Sequence, residues 1–154
     1  MPTKDFNKGL AYCFLLLKYR QRSKHEIDTR LTQKGFSFKI KQEVLAYLEK
    51  NKYIDDYAFS RLFTAVCQEK GWGERKIIFT LRKLGINEDL IKEALQDRTI
   101  FRNKIKELAE RMINKEGGPG SYQKILRFLA RRGFSYNDIH QVLDEIGVER
   151  FSSE

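Results

Sequence analysis

The sequence predicts an all-α protein: three tandem three-helix repeats forming an elongated, curved body. Three observations lead there. Two prolines and ten glycines among 154 residues leave long stretches free to be helical. No segment alternates apolar and polar residues with the period of two that a half-buried strand needs. One arrangement of apolar residues around a glycine occurs three times, at Gly35, Gly85 and Gly133, spaced 50 and 48 residues apart.

The repeat is read by setting each glycine as zero. Position −8 is Ile27, Ile77 and Ile125, and position −4 is Leu31, Leu81 and Leu129. Residues four apart share one helix face, so each pair marks a helix with one apolar side. The glycine falls where that helix stops, as a C-terminal cap that tolerates positive φ. An apolar residue follows at +1 (Phe36, Ile86, Phe134), and then a capping residue (Ser37, Asn87, Ser135) opens the next helix. Position +10 closes the unit with Leu45, Leu95 and Leu143.

Each repeat also has a leading helix. The first covers roughly Asn7 to Arg20, and Ser23 with Glu26 forms a capping box for the helix after it. The second is capped by Asp55, stapled by Ile54 and Phe59, and runs through Leu62, Phe63 and Val66 toward Lys70. The third spans Thr99 to Lys115 with Ile105, Leu108, Ala109 and Met112 as its apolar stripe. Gly71-Trp72-Gly73 and Gly117-Gly118-Pro119-Gly120 read as turns. In the third helix of the last repeat, Asp138 completes a weak capping box with Ser135. Ile86 with Ile91, and Phe134 with Ile139, are spaced as hydrophobic staples. At the position of Ile91 and Ile139 the first repeat has Lys41 instead. The repeats are placed at residues 7–51, 52–97 and 98–147.

Composition narrows the function. Hydrophobic residues make up 41% and charged residues 33%, too apolar for a disordered tail and too charged for a membrane protein. The longest apolar run, Leu10 to Leu17, is far short of a bilayer span, and Met1 to Lys8 carries no cleavable signal pattern. Two cysteines make no disulfide framework, so a cytoplasmic setting is expected. The net charge of +9 divides as +6 over residues 1–51, zero over 52–97 and +3 over 98–154. Such a field attracts polyanions, nucleic acid first among them.

The most specific text is Tyr53-Ile54-Asp55-Asp56-Tyr57-Ala58-Phe59-Ser60-Arg61, followed by Lys70-Gly71-Trp72-Gly73. With Arg22-Ser23-Lys24-His25-Glu26, Lys34-Gly35-Phe36 and Arg131-Arg132-Gly133-Phe134, it resembles the RecX family of bacterial recombination regulators over about residues 8 to 146. The resemblance implies tandem three-helix repeats that bind the RecA recombinase in the groove of its filament on single-stranded DNA. It implies reduced ATPase, strand-exchange and co-protease activity of RecA. It also implies weaker binding of free DNA, single-stranded before double-stranded, and a place in DNA repair and the SOS response. A monomer with no membrane partner and no cofactor is expected.

Other chemistry is poorly supported by the residues. Asp55 and Asp56 could ligate a metal, but a helix cap explains them with fewer partners. Trp72 reads as a buried ring that stabilises its turn. Cys13 and Cys67 read as small buried hydrophobes. His25 and His140 have no ligand-spaced partner, and the glycines at 117–120 lack the Lys-Ser/Thr of a phosphate loop. No nucleophile elbow is present, so the chain reads as a non-enzyme. The binding residues expected for DNA or RecA are the cations on the second helix of each repeat. They are Lys24, Arg30 and Lys34; Arg75, Lys76, Arg82 and Lys83; and Lys124, Arg127, Arg131 and Arg132. Repetition can line one side of stacked units with charge, and each phosphate neutralised adds salt-sensitive affinity. A general nucleic-acid-binding helical repeat protein, without RecA as partner, is the alternative.

Overall fold

The computed structural model describes residues 2–116 and 122–149. Among them are nine α-helices and no strand: α1 (Lys4–Tyr19), α2 (Lys24–Lys34), α3 (Phe38–Lys50), α4 (Asp56–Glu69), α5 (Glu74–Lys83), α6 (Glu88–Ala94), α7 (Thr99–Glu116), α8 (Tyr122–Arg131) and α9 (Tyr136–Glu145). They form three three-helix repeats. The turn expected at Gly117–Gly120 lies outside the described residues.

The caps explain most boundaries. α1 starts three residues earlier than Asn7 because the Thr3 side chain accepts the Phe6 N–H at 3.1 Å. At α2 the capping box is complete: Ser23 Oγ accepts the Glu26 N–H, and the Glu26 carboxylate accepts the Ser23 N–H. Burial would raise the pKa of Glu26, but the ion pair with Arg20 and the Ser23 N–H hold it below the usual carboxylate range. Asp55 caps α4 by accepting the Ala58 N–H, and Asn87 caps α6 through the Leu90 N–H. Ser37 and Ser135 cap α3 and α9. The expected box at α9 takes another form: the Asp138 carboxylate meets Arg98 at 3.2 Å.

The packing follows the repeat. Ile27, Leu31, Ile77, Leu81, Ile125 and Leu129 have no exposed surface. The residue after the glycine is buried at Ile86 and Phe134 but only half-buried at Phe36. Lys41, at a position that is Ile in the other repeats, is kept there by an ion pair to Asp28 at 3.1 Å and a hydrogen bond to Thr32 Oγ1 at 2.9 Å. On α4, Leu62 and Val66 are exposed, and Ser60, Thr64 and Gln68 are buried with Phe59 and Cys67. Cys13 is fully buried, and burial pushes its thiol up to about 11, so it stays protonated and inert.

Two compact units are distinguished. One is the chain up to Leu62 together with Leu81–Ile91; the other is Phe63–Thr80 together with the chain from Lys92 onward. In the first, α1 packs on α3 and α2 around Cys13, Leu16, Ile27, Leu31, Val44 and Leu48. In the second, α7 and α8 pack on α9, with Phe101, Ile105, Ile125, Leu129, Ile139 and Leu143 buried.

Each unit contains one tight joint of the same kind. The start of a middle helix sits on the glycine turn of the following repeat. In the first unit the Ser23 hydroxyl donates to the Leu84 carbonyl at 2.6 Å, and a Cβ on Gly85 would lie 2.3 Å from His25 Cβ. The Lys24 N–H donates to Asp56 Oδ1 at 2.9 Å in the same place. In the second unit the Gly73 N–H donates to the Arg132 carbonyl at 2.7 Å and the Arg75 N–H to the Gly133 carbonyl at 2.9 Å. A Cβ on Gly73 would lie 2.1 Å from the Phe134 nitrogen, which is why the turn after α4 contains this glycine. Arg98 reinforces the joint by pairing with both Glu74 (2.8 Å) and Asp138 (3.2 Å).

Candidate nucleic-acid interface

The cations expected to bind occupy different environments in the two units. In the first, Lys24 pairs with Glu49 at 2.8 Å, and Arg82 makes a two-pronged ion pair with Glu88 at 2.6 and 3.1 Å. That pairing raises the Arg82 pKa, through the Glu88 hydrogen bonds first and its charge second. Both cations have their charge answered within their own unit. Lys34 lies over the Tyr12 ring at 5.2 Å, and Arg30 and Lys83 are exposed.

In the second unit the cations converge. Lys76 from α5 and Lys124, Arg131 and Arg132 around α8 line one cleft of about 350 Å³, with Phe128 and Met112 completing its wall. Among these described lining residues none is acidic. The sequence dictates the convergence on α8: Lys124, Phe128 and Arg131 are spaced four and three apart and share a face, beside the one that buries Ile125 and Leu129. Lys76 is brought there by the joint, since its backbone and Cβ press on Gly133, where an added Cβ would lie 2.6 Å from Lys76 N.

Aromatic rings hold these cations in place. The Lys76 ammonium stands 4.1 Å from the centre of the Trp72 ring, and the Arg132 guanidinium 4.9 Å from that of Phe128. Arg132 is fixed further by donating to the Lys70 carbonyl at 3.2 Å. Beside the cleft, Arg75 lies 5.8 Å from the exposed Tyr136 ring. Arg127 is exposed on α8. Trp72 differs from its expected burial: it is half-buried, edge-on to Phe63 at 6.1 Å, with Lys76 over it.

Thus four of the eleven expected residues are gathered in one place and two are tied up in ion pairs. Sequence reasoning missed Phe128 and Met112. Phe128 was findable from its spacing to Lys124 and Arg131; Met112 belongs to another helix and was read only as part of that helix's apolar stripe. Asp55 and Asp56 separate in role: Asp55 caps its helix, while Asp56 accepts the Lys24 N–H. Burial foremost raises the Asp56 pKa. Among the described residues no group of three His, Cys, Asp or Glu could hold a metal, and no helix is long and apolar enough to cross a membrane.

Comparison with known proteins agrees with this architecture. Sequence models of the RecX first, second and third three-helix domains match residues 10–48, 55–95 and 103–143. The regulatory protein RecX of Clostridium tetani is 30% identical over 146 residues, covering 90% of this chain and 66% of the relative. That of Prosthecochloris aestuarii is 30% identical over 148 residues, covering 95% of this chain and 98% of the relative. The chain spans 56% of the length of two Bacillus relatives of the same name. The crystal structure of RecX from Lactobacillus salivarius superposes with a TM-score of 0.85 at 22% identity, over 94% of this chain and 98% of that one. With the three domains matched in chain order and a relative covered almost end to end, the chain belongs to the RecX family.

Proposed function

We propose that this protein is a non-enzymatic regulator of RecA, mainly an inhibitor. It binds in the groove of the RecA filament on single-stranded DNA and lowers ATP hydrolysis, strand exchange and co-protease activity, so acting in DNA repair and the SOS response. The reading rests on family membership, carried by relatives named regulatory protein RecX. The observation that joins it to chemistry is the cleft where Lys76, Lys124, Arg131 and Arg132 meet. A strand of phosphates running past such a cleft gains affinity by releasing counterions.

The test is the ATPase of RecA on single-stranded DNA with this protein added below stoichiometric amounts. Inhibition is expected, and an unchanged rate with an unchanged filament lifetime overturns the proposal. The triple reversal Lys76→Glu, Lys124→Glu, Arg131→Glu is expected to weaken inhibition at least tenfold. Arg82→Glu is the contrasting variant, since Glu88 already answers that charge. DNA binding that persists with no effect on RecA would assign the protein to the general nucleic-acid binders instead.

A further inference from the structure

The cleft of the second unit offers more than charge. Its wall combines cations from α5 and α8 with the Phe128 ring and the Met112 side chain, which comes from α7. Two of the cations are pinned: Arg132 by the Lys70 carbonyl and the Phe128 ring, and Lys76 by Trp72. Positive groups gathered on one concavity attract an anion. A bare phosphate would need neither the ring nor the thioether. The volume, about 350 Å³, is at the small end of ligand sites and suits one nucleotide.

We propose that this cleft seats a single nucleotide of single-stranded DNA, its phosphate held by Lys124, Arg131 and Lys76 and its base laid against Phe128 and Met112. The proposal rests on the DNA contact in the preceding section and deepens it. A duplex presents phosphates but keeps its bases stacked and paired, so it can satisfy only the cationic half of the site. A single strand satisfies both halves, because an unpaired base has a face free to stack. The cleft is therefore the place where the protein tells single strands from duplexes. Phe128 is the discriminating residue and Arg131 the general one.

The experiment compares a fluorescent oligothymidylate with a strand of equal length made of abasic sugar-phosphate, by anisotropy across a salt series. The wild-type protein is expected to bind oligothymidylate about tenfold more tightly than the abasic strand. Phe128→Leu, which keeps an apolar side chain but loses the ring face, should erase most of that ratio by weakening oligothymidylate far more than the abasic strand. Arg131→Gln should weaken both strands and reduce the slope of log K against log salt by about 0.7. Photocrosslinking of a 5-iodouracil strand, mapped to Phe128 or its neighbours on α8, locates the base without any variant. Equal wild-type affinity for the two strands, or a ratio that survives Phe128→Leu in a protein of unchanged thermal melting, overturns the proposal. Because these readouts contain no RecA, inhibition of RecA by a protein indifferent to bases removes the nucleotide seat alone. Base-selective binding without an effect on RecA upholds the seat and removes the regulatory reading.

Discussion

The joints of the two units solve one geometric problem with different chemistry. Both seat the first turn of a middle helix on the glycine turn of the next repeat. Twelve residues before its own repeat's glycine, the first unit has Ser23 and the second has Gly73. Serine reaches across with its hydroxyl to the Leu84 carbonyl while also capping α2. Glycine, having no side chain, lets the backbones touch, and its own N–H reaches the Arg132 carbonyl. One step later, Lys24 offers its backbone N–H to Asp56, whereas Glu74 offers its carboxylate to Arg98. The lesson is that the repeat preserves the contact surface, not the interaction that holds it. Neither joint leaves room for a Cβ on its glycine turn, where Gly85 meets the His25 side chain and Gly133 meets Lys76.

The comparison breaks hardest at Gly73. Gly73→Ala would put a methyl group 2.1 Å from the Phe134 nitrogen and 2.2 Å from the Gly133 carbonyl carbon. Neither atom belongs to a side chain that can swing aside, so the joint must open. The cost expected is about 3 kcal/mol or more. Amide hydrogen exchange should show loss of protection at Arg75 and across α8 and α9, with α1 to α3 unaffected. Protection retained at the Arg75 amide would mean that the close approach is not what orders this unit. The substitution also bears on the site, since the joint delivers Lys76 to the cleft.

Ser23→Ala is the milder counterpart. It removes the acceptor for the Glu26 N–H and the donor to the Leu84 carbonyl, but it creates no clash. Loss of the cap costs about 1–2 kcal/mol. The thermal midpoint should fall by several degrees, and Ser23→Thr, which keeps the hydroxyl, should recover part of it. A Ser23→Ala protein as stable as wild type would show that the first joint is held by packing alone.

The sequence carried much of this architecture for a physical reason. Helix starts are written locally, in Ser23 and Glu26, Asp55, Asn87 and Ser135, because a cap needs only residues within one turn. The buried face at −8 and −4 is equally local. What escaped was whatever depends on two distant segments. Gly85 and Gly133 were read as helix stops, which they are, but their second task as seats for His25 and Lys76 involves partners 60 and 57 residues away. Likewise, the candidate cations looked alike in sequence. Arg82 is answered by Glu88, only six residues on, and that pairing was readable. The meeting of Lys76 with Lys124, Arg131 and Met112 was not, since it is created by the joint. Trp72 was misplaced for the same reason: its half-buried ring serves Lys76, and a turn considered alone gives no cause to leave it half-covered.

The smallest effect is expected where the joint is missing. Gly35 has φ +93, in the left-handed region, as do Gly85 and Gly133, yet nothing lies within 4 Å of where its Cβ would be. Phe36 beside it is correspondingly only half-buried. Here glycine meets a backbone requirement alone, and asparagine tolerates that conformation better than other side chains do. Gly35→Asn should therefore cost about 0.5 kcal/mol and Gly35→Ala about 1 kcal/mol. The same Asn substitution at Gly133 must also push against Lys76 N, 2.6 Å from the new Cβ, and should cost several times more. Urea melts of the Gly35→Asn and Gly133→Asn pair measure the seating contribution directly, because the φ penalty is common to both. Equal losses at the two positions would mean that left-handed geometry accounts for the glycine in every repeat, and that the seating of Lys76 on Gly133 contributes nothing measurable.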